Sequence, residues 1–204
     1  MNATARIAVL LMAAGGSGRS GTPKLLLEFE GQSLLRRAAE AATLSQASST
    51  IAVLGSDAPR LEAELKALPV RTIVNSRWKE GLSTSIRCGI ESVSQEADGA
   101  LIMLADQPLI SPEILNKLIQ AFRTGGHPIV ASAYGQTMGV PAVFAASVFP
   151  DLLNLNADRG AKDVILKNRR SVLTVPVPEA AVDIDTPEDL KKLQQRFSPR
   201  SRQQ

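Results

Sequence analysis

Residues 7–12, Ile-Ala-Val-Leu-Leu-Met, form an unbroken apolar run. It leads directly into the stretch Ala13-Ala14-Gly15-Gly16-Ser17-Gly18-Arg19-Ser20-Gly21-Thr22-Pro23-Lys24. A strand with no polar face has to be covered on both faces, and this is the situation of strands inside a parallel sheet flanked by helices. The glycines after it let backbone N–H groups turn toward an anion at the strand's carboxyl end. Arg19 adds a planar fork and Lys24 a mobile point charge, and the pair suits a polyphosphate better than a neutral ligand. The stretch therefore reads as a phosphate cradle. Its candidate nucleotide-binding residues are Ala13, Ala14, Gly15, Gly16, Ser17, Gly18, Arg19 and Lys24.

Spacing separates the kinds of cradle. A Walker A loop carries Lys directly after its second glycine, whereas Gly21 is followed by Thr22 and Pro23. A dinucleotide fingerprint does occur as Gly16-x-Gly18-x-x-Gly21. It requires a helix opening within the glycines and an acid about 20 residues on. Thr22-Pro23-Lys24 interrupts such a helix, and Asp57 is the first acid after the next strand, too far along. The remaining readings are a long, open, cationic loop for a nucleoside triphosphate and a flexible Gly/Ser surface loop.

Composition narrows the classes further. The 204 residues, 44% of them hydrophobic, can bury one substantial core, so a single domain is expected over 1–195, with 196–204 as a basic flexible tail. Aromatics make up only 3%, which leaves no stacking platform for single-stranded nucleic acid, and the net charge of +3 is partly owed to the tail. Neither nucleic acid nor a membrane is an expected partner, because no apolar span reaches the length of a transmembrane helix. Cys88 is alone and reads as a small buried hydrophobe. The expected compartment is cytoplasmic.

Apolar runs at 7–12, 51–54, 70–75, 100–104 and 129–133 alternate with helical patterns at 33–44, 59–68, 83–93 and 112–122. Such alternation means parallel βαβ units. Ser33 reads as a helix cap, and Pro59 and Pro112 fall near first-turn positions. Beyond residue 133 the pattern loosens into a connection at 134–139 and a short strand at 142–144. Helices near 147–155 and 160–167, a strand at 172–175 and a closing helix at 188–196 follow. The predicted fold is α/β: a single-domain, three-layer, doubly wound, mostly parallel (mixed) sheet of about seven strands, with ligands gathered at the strands' carboxyl ends.

Asp106 lies just past the fourth of these strands and can project from the sheet edge toward the loop. Mg²⁺ favours one or two carboxylates plus phosphate oxygens and water, which fits Asp106 with a second aspartate. Asp106 reads equally as a turn residue before Pro108. Asp183 and Asp185 share a face if the chain is extended there. Because Asp185-Thr186-Pro187-Glu188 is also a helix start, Asp183 is the favoured metal ligand and Asp185 or Thr186 the cap. Residues 75–85 follow the third strand, with Ser83 or Ser85 capping the next helix. With the triphosphate in its own loop, they form a candidate wall for a second substrate through Asn75, Gly81, Ser83 and Ser85, with Arg87 nearby. Trp78 reads as packing rather than stacking, and His127 as a loop residue.

Ala13-Ala14-Gly15-x-Ser17-x-Arg19-x-Gly21-x-x-Lys24 resembles the signature of the MobA-like nucleotidyltransferases, and within them the molybdenum-cofactor cytidylyltransferases. Later blocks resemble the family in the same order: 75–85, Leu104-Ala105-Asp106-Gln107-Pro108-Leu109, 139–144, Asp158-Arg159-Gly160-Ala161-Lys162 and 182–190. Ser20 stands where such loops usually carry Met, and Val140 where many members carry His. The resemblance implies a nucleotide-diphospho-sugar-transferase-like, Rossmann-type fold, and Mg²⁺-dependent transfer of CMP from CTP to molybdopterin with release of pyrophosphate. Arg19, Lys24 and Asp106 are then the catalytic residues, Asp106 and Asp183 hold the metal, and a molybdoenzyme would receive the product. A phosphate monoester is already anionic, so this chemistry needs no general base. The methyl of Ala14 narrows the floor under the base, which favours CTP over GTP. Transfer to another acceptor such as a sugar phosphate, a guanylyl donor, and a non-catalytic molybdenum-cofactor accessory protein are the alternatives.

Overall fold

A computed structural model describes residues 4–16, 23–156 and 158–197. In chain order its elements are β1 (Ile7–Ala13), the short ribbon of β2 (Glu28–Phe29) and β3 (Gln32–Ser33), α1 (Leu34–Thr43), β4 (Ser49–Leu54) and α2 (Ala58–Leu65). Then come β5 (Arg71–Val74), α3 (Leu82–Glu91), β6 (Gly99–Leu104), α4 (Pro112–Gly125), β7 (Ile129–Tyr134) and β8 (Thr137–Ala145). The chain closes with α5 (Phe149–Leu153), α6 (Ala161–Lys167), β9 (Val172–Pro176) and α7 (Pro187–Phe197).

Every residue of β1 is buried, as its unbroken apolar sequence requires of a central strand. Its odd-numbered side chains Ile7, Val9 and Leu11 enter the core beneath α1, α2 and α4, and Ala8, Leu10 and Met12 enter the core beneath α3, α5 and α6. The molecule thus has three layers about one sheet, in the order β5-β4-β1-β6-β8-β7-β9. All neighbours pair in parallel except β8, which runs antiparallel to β6 and to β7. From β1 the chain winds outward through β4 to β5, then crosses back to the other side of β1 as β6. The carboxyl ends of β1 and β6 therefore flank the point where the winding reverses, the place where open α/β sheets form a crevice.

Several local expectations hold. Ser33 Oγ accepts from the Arg36 amide (3.1 Å) and Ser111 Oγ from the Ile114 amide (3.4 Å), with Pro112 at the first helical position. Others need correction. The segment from 134 onward is a hairpin, in which β8 is the longest strand of the sheet. Its ladder skips Val140 and Pro141, because Pro141 has no N–H to give, and the register shifts opposite Ala131 and Ser132. That skip, with Gly135 and Gly139 nearby, masked the alternation. Neither Ser83 nor Ser85 caps α3: Gly81, at φ 108°, is the N-cap, so the helix opens at Leu82. At α7 the cap is Thr186, whose Oγ1 accepts from the Asp189 amide (3.2 Å) while the Thr186 amide donates to Asp189 Oδ2 (3.1 Å).

A small third core decides where the late aspartates fall. Ile184, Leu190 and Leu193 pack with Phe29 and Leu34, and Phe197 meets the Phe29 ring edge-on at 5.7 Å. Burying Ile184 on that side turns its neighbours Asp183 and Asp185 the other way. Of the tail, Arg196 lies within α7 and residues from 198 onward are outside those described. No helix among the described residues is long and apolar enough to cross a membrane.

Candidate active site

The crevice at the carboxyl ends of β1 and β6 holds one cation between two carboxylates. Lys24, at the start of a 3₁₀ turn over Lys24–Leu26, donates from Nζ to Asp106 Oδ2 at 2.7 Å and to Asp185 Oδ1 at 2.9 Å. Burial works against the Lys24 charge, but the two carboxylates, Asp106 foremost, outweigh it and hold the ammonium above the usual lysine range. Lys24 therefore stays charged through neutral pH. Asp106 follows β6 as predicted, and its other oxygen, Oδ1, is buried with no hydrogen-bond partner among the described residues. A buried carboxylate oxygen with nothing to accept from is costly, so the described residues leave this oxygen short of one donor or cation. The Asp106 carbonyl accepts from the Ile184 amide at 2.9 Å, which ties the late segment to the sheet edge.

Asp183 keeps an exposed outer edge, yet desolvation on its inner side raises its carboxyl above the usual range. The Asp106 charge adds to this, against a hydrogen bond from Gln107, and the Asp185 charge adds further against the Lys24 charge. Both Asp106 and Asp183 would be relieved by a cation. Among the described residues no three of His, Cys, Asp and Glu cluster as a metal site. Two carboxylates with an orphaned oxygen nevertheless fit an ion such as Mg²⁺, which keeps water and takes phosphate oxygens for the rest of its shell.

Two cavities open beside this group. One, of about 210 Å³, is lined by Ala14, Gly15, Trp78, Ser85 and Asp106, with Met12, Leu82 and Leu104 along its inner wall. The other, of about 260 Å³, shares that wall and extends beneath Tyr134, Val140, Lys162 and Asp183. Of the cradle residues, Ala14 and Gly15 thus face the first cavity, while Ala13 is a core residue at 1% exposure that offers only its backbone. Gly16 lies over the Trp78 ring, where an added Cβ would come within 2.8 Å of the indole. Ser17, Gly18 and Arg19 lie outside the described residues.

The candidate acceptor wall divides. Ser85 lines the first cavity. Asn75 is buried: its amide donates to Thr84 Oγ1 (2.8 Å) and Ser85 Oγ (3.0 Å), and its carbonyl oxygen accepts from the Arg77 amide (3.0 Å). It knots the end of β5 to the start of α3. Ser83, at 1% exposure, is likewise interior, and Gly81 supplies the turn. Arg87 is committed elsewhere, donating to the carbonyls of Leu153 and Leu155 at the end of α5. Trp78 is both packing and wall, wedged against Gly16 and Gly55 while bordering the cavity. Asp185 does not cap α7, since Thr186 does, and this frees it for Lys24. The sequence reading missed Gln107, Tyr134 and Lys162; only Gln107 and Lys162 lay inside family-like blocks. His127 sits before β7, with Nδ1 3.3 Å from the Ser171 carbonyl.

A switch-point crevice that holds a shared lysine and an unpaired aspartate oxygen beside a glycine loop defines a nucleotide-handling α/β protein. The chain belongs to the MobA-like NTP transferase domain family, whose model matches residues 9–172, and it is a nucleotidyltransferase. It is similar to the nicotine blue oxidoreductase of Paenarthrobacter nicotinovorans, at 28% identity over 90% of this chain and 94% of that one. It is also similar to the purine catabolism protein PucB of Bacillus subtilis, at 27% over 93% and 96%. Among solved structures, Rv0371c of Mycobacterium tuberculosis H37Rv superposes with a TM-score of 0.82 at 27% identity, covering 94% of this chain and 98% of that one. A complex of Rv0371c with manganese superposes at 0.79 and 26% identity, covering 93% and 98%.

Proposed function

We propose that the protein transfers CMP from CTP to the phosphate of a molybdopterin-type acceptor. An acceptor oxygen attacks the α-phosphorus, and the bond to the bridging oxygen breaks to release pyrophosphate. The observation that carries this reading is the Lys24 ammonium shared by Asp106 and Asp185 beside an orphaned Asp106 Oδ1, at the carboxyl ends of β1 and β6.

In this reaction a phosphate monoester attacks a triphosphate, so anions have to be brought together and held in line. Charge neutralisation and alignment are then the main contributions of the protein. A divalent cation, Mg²⁺ in this reading, would be held by Asp106 and Asp183 and supplies charge neutralisation at the phosphates. The manganese complex of Rv0371c supports a divalent-cation site in the fold. Lys24, kept protonated by its carboxylates, has a flexible stem that can reach a phosphate oxygen beside Asp106. Arg19 is assigned to the same triphosphate. The backbone of Ala14 and Gly15 borders the base, and the Ala14 methyl narrows that floor against a purine. Ser85 contacts the substrates from the α3 side, with Asn75 holding the start of that helix in place. Delivery of the product to a molybdoenzyme is the natural sequel.

The test is pyrophosphate release by purified protein with each of four nucleoside triphosphates, against molybdopterin and a panel of sugar phosphates, with and without Mg²⁺. The reading requires CTP with molybdopterin to be the best pair, with Mg²⁺ obligatory. A sugar phosphate as the better acceptor, or release independent of Mg²⁺, would overturn it. Asp106→Asn should lower turnover at least about 100-fold, because an electrostatic contact made at the transition state is worth roughly 3 kcal/mol.

A further inference from the structure

The larger of the two cavities carries features that the nucleotide does not use. Its apolar lining includes Leu82, Ile86, Ile102, Leu104 and Val140. One free cation stands in its wall: Lys162, on α6, has no ion pair or hydrogen bond among the described residues, whereas Lys24 and the nearby Lys167 are both paired. Gln107 lines the same cavity at 2% exposure. Its Nε2 donates to the Ala180 carbonyl at 3.0 Å, an atom that can only accept, and the side chain also hydrogen-bonds Asp183, so the amide orientation is fixed and Oε1 is left buried with no partner among the described residues. An apolar lining, a buried acceptor without a partner among the described residues and an exposed ammonium at the cavity's rim suit a site completed by a ligand.

The positions say which ligand. The two cavities meet along Met12, Leu82 and Leu104, with Asp106 on the nucleotide side and Asp183 on the other. The cations so far assigned to the triphosphate, Lys24 and Arg19, belong to the loop after β1. A phosphate nucleophile arriving from the far side meets the Asp183 carboxylate as well as the triphosphate, so a cation on its own side of the site favours its approach.

We propose that this cavity takes the acceptor, a phosphate monoester carried on a compact ring body, and that Lys162 binds its phosphate while a donor on the ring meets Gln107 Oε1. This rests on the nucleotidyl-transfer reading, which it extends by assigning the acceptor's side of the site. It places the polar recognition of the acceptor on Gln107 after β6 and Lys162 on α6 rather than on the polar residues of 75–85.

The experiment compares phenyl phosphate with phenol as matched probes, titrated by ligand-observed NMR into wild type, Lys162→Ala and Lys162→Arg, with CTP affinity followed by Trp78 fluorescence. Trp78 is the chain's one tryptophan and borders the nucleotide cavity. Wild type should favour the phosphate ester by at least tenfold, Lys162→Ala should lose that preference, and Lys162→Arg should keep most of it, with CTP affinity within twofold throughout. Equal binding of the two probes to wild type, persistence of the preference in Lys162→Ala, or a parallel loss of CTP affinity would overturn the assignment. A molybdopterin transfer assay run alongside separates the two claims, because its failure would contradict the reaction while leaving the phosphate preference to be judged by the probes.

Discussion

Lys24 is the residue on which the site turns, since its ammonium joins the loop after β1 to both the end of β6 and the segment before α7. Its removal leaves Asp106 facing Asp183 with one fewer cation and, in the proposed reaction, takes away one of the two side-chain cations assigned to the triphosphate. Lys24→Ala should lower kcat/KM at least about 100-fold, with KM for the nucleotide and kcat both affected, as steady-state kinetics would show. An unchanged KM would take Lys24 off the phosphates. Ala14 offers a finer test: Ala14→Gly should move the ratio of kcat/KM for CTP over GTP toward GTP by about tenfold, the usual worth of one methyl in a pocket. Asp106 and Lys24 could be read from the sequence because both sit next to strong punctuation, a strand end before proline and a glycine run. The pairing of Lys24 with Asp185 could not, since it depends on which of two adjacent residues caps α7, and by type Asp185 is the better cap although Thr186 takes the role.

At the scale of elements, the site is shaped by two close approaches. Gly55, just past β4, has the Ala14 carbonyl within 2.5 Å and the Trp78 Cβ within 2.7 Å of where a Cβ would stand. Gly55→Ala should cost about 1–3 kcal/mol by overpacking and push Ala14 or Trp78 out of place, read as a lower Tm and an altered Trp78 fluorescence. Unchanged Tm and emission would mean that the loop is looser than its packing shows. The other approach is α7, whose cap holds Asp185 in reach. The Asp189 carboxyl is held below the usual aspartate range, first by its hydrogen bond to the Thr186 side chain. Its charged form is thus favoured in the folded state, so this contribution is full above the ordinary aspartate pKa and lost as pH falls through the lower folded value. The protection of the α7 amides, taken relative to the intrinsic exchange rate at each pH, should therefore fall in acid, and Asp189→Asn should blunt that response. Elements with regular alternation or unbroken apolar runs were legible in the sequence. The β2–β3 ribbon, two residues a strand, is too short to show a period, and β8 hides its period behind Pro141.

For the molecule as a whole, the sheet explains why residues far apart in sequence form one site. Parallel strands send their loops to one edge, the reversal between β1 and β6 opens a crevice there, and the third core around Phe29 and Ile184 closes the late chain over it. The apolar runs announced this edge, whereas the cavity near Lys162 depended on β8 and α6, where the pattern was weakest. The central claim is transfer of the α-phosphoryl group at that edge. It is tested most directly by incubating wild type and Asp106→Asn with Mg²⁺, molybdopterin and CTP labelled either at the α-phosphorus or at the γ-phosphorus, and following both labels. Wild type should place the α-label on the acceptor and release the γ-label as pyrophosphate, and Asp106→Asn should do neither at a comparable rate. Release of the γ-label as orthophosphate, an α-label that never reaches the acceptor, or full transfer by Asp106→Asn would contradict the account.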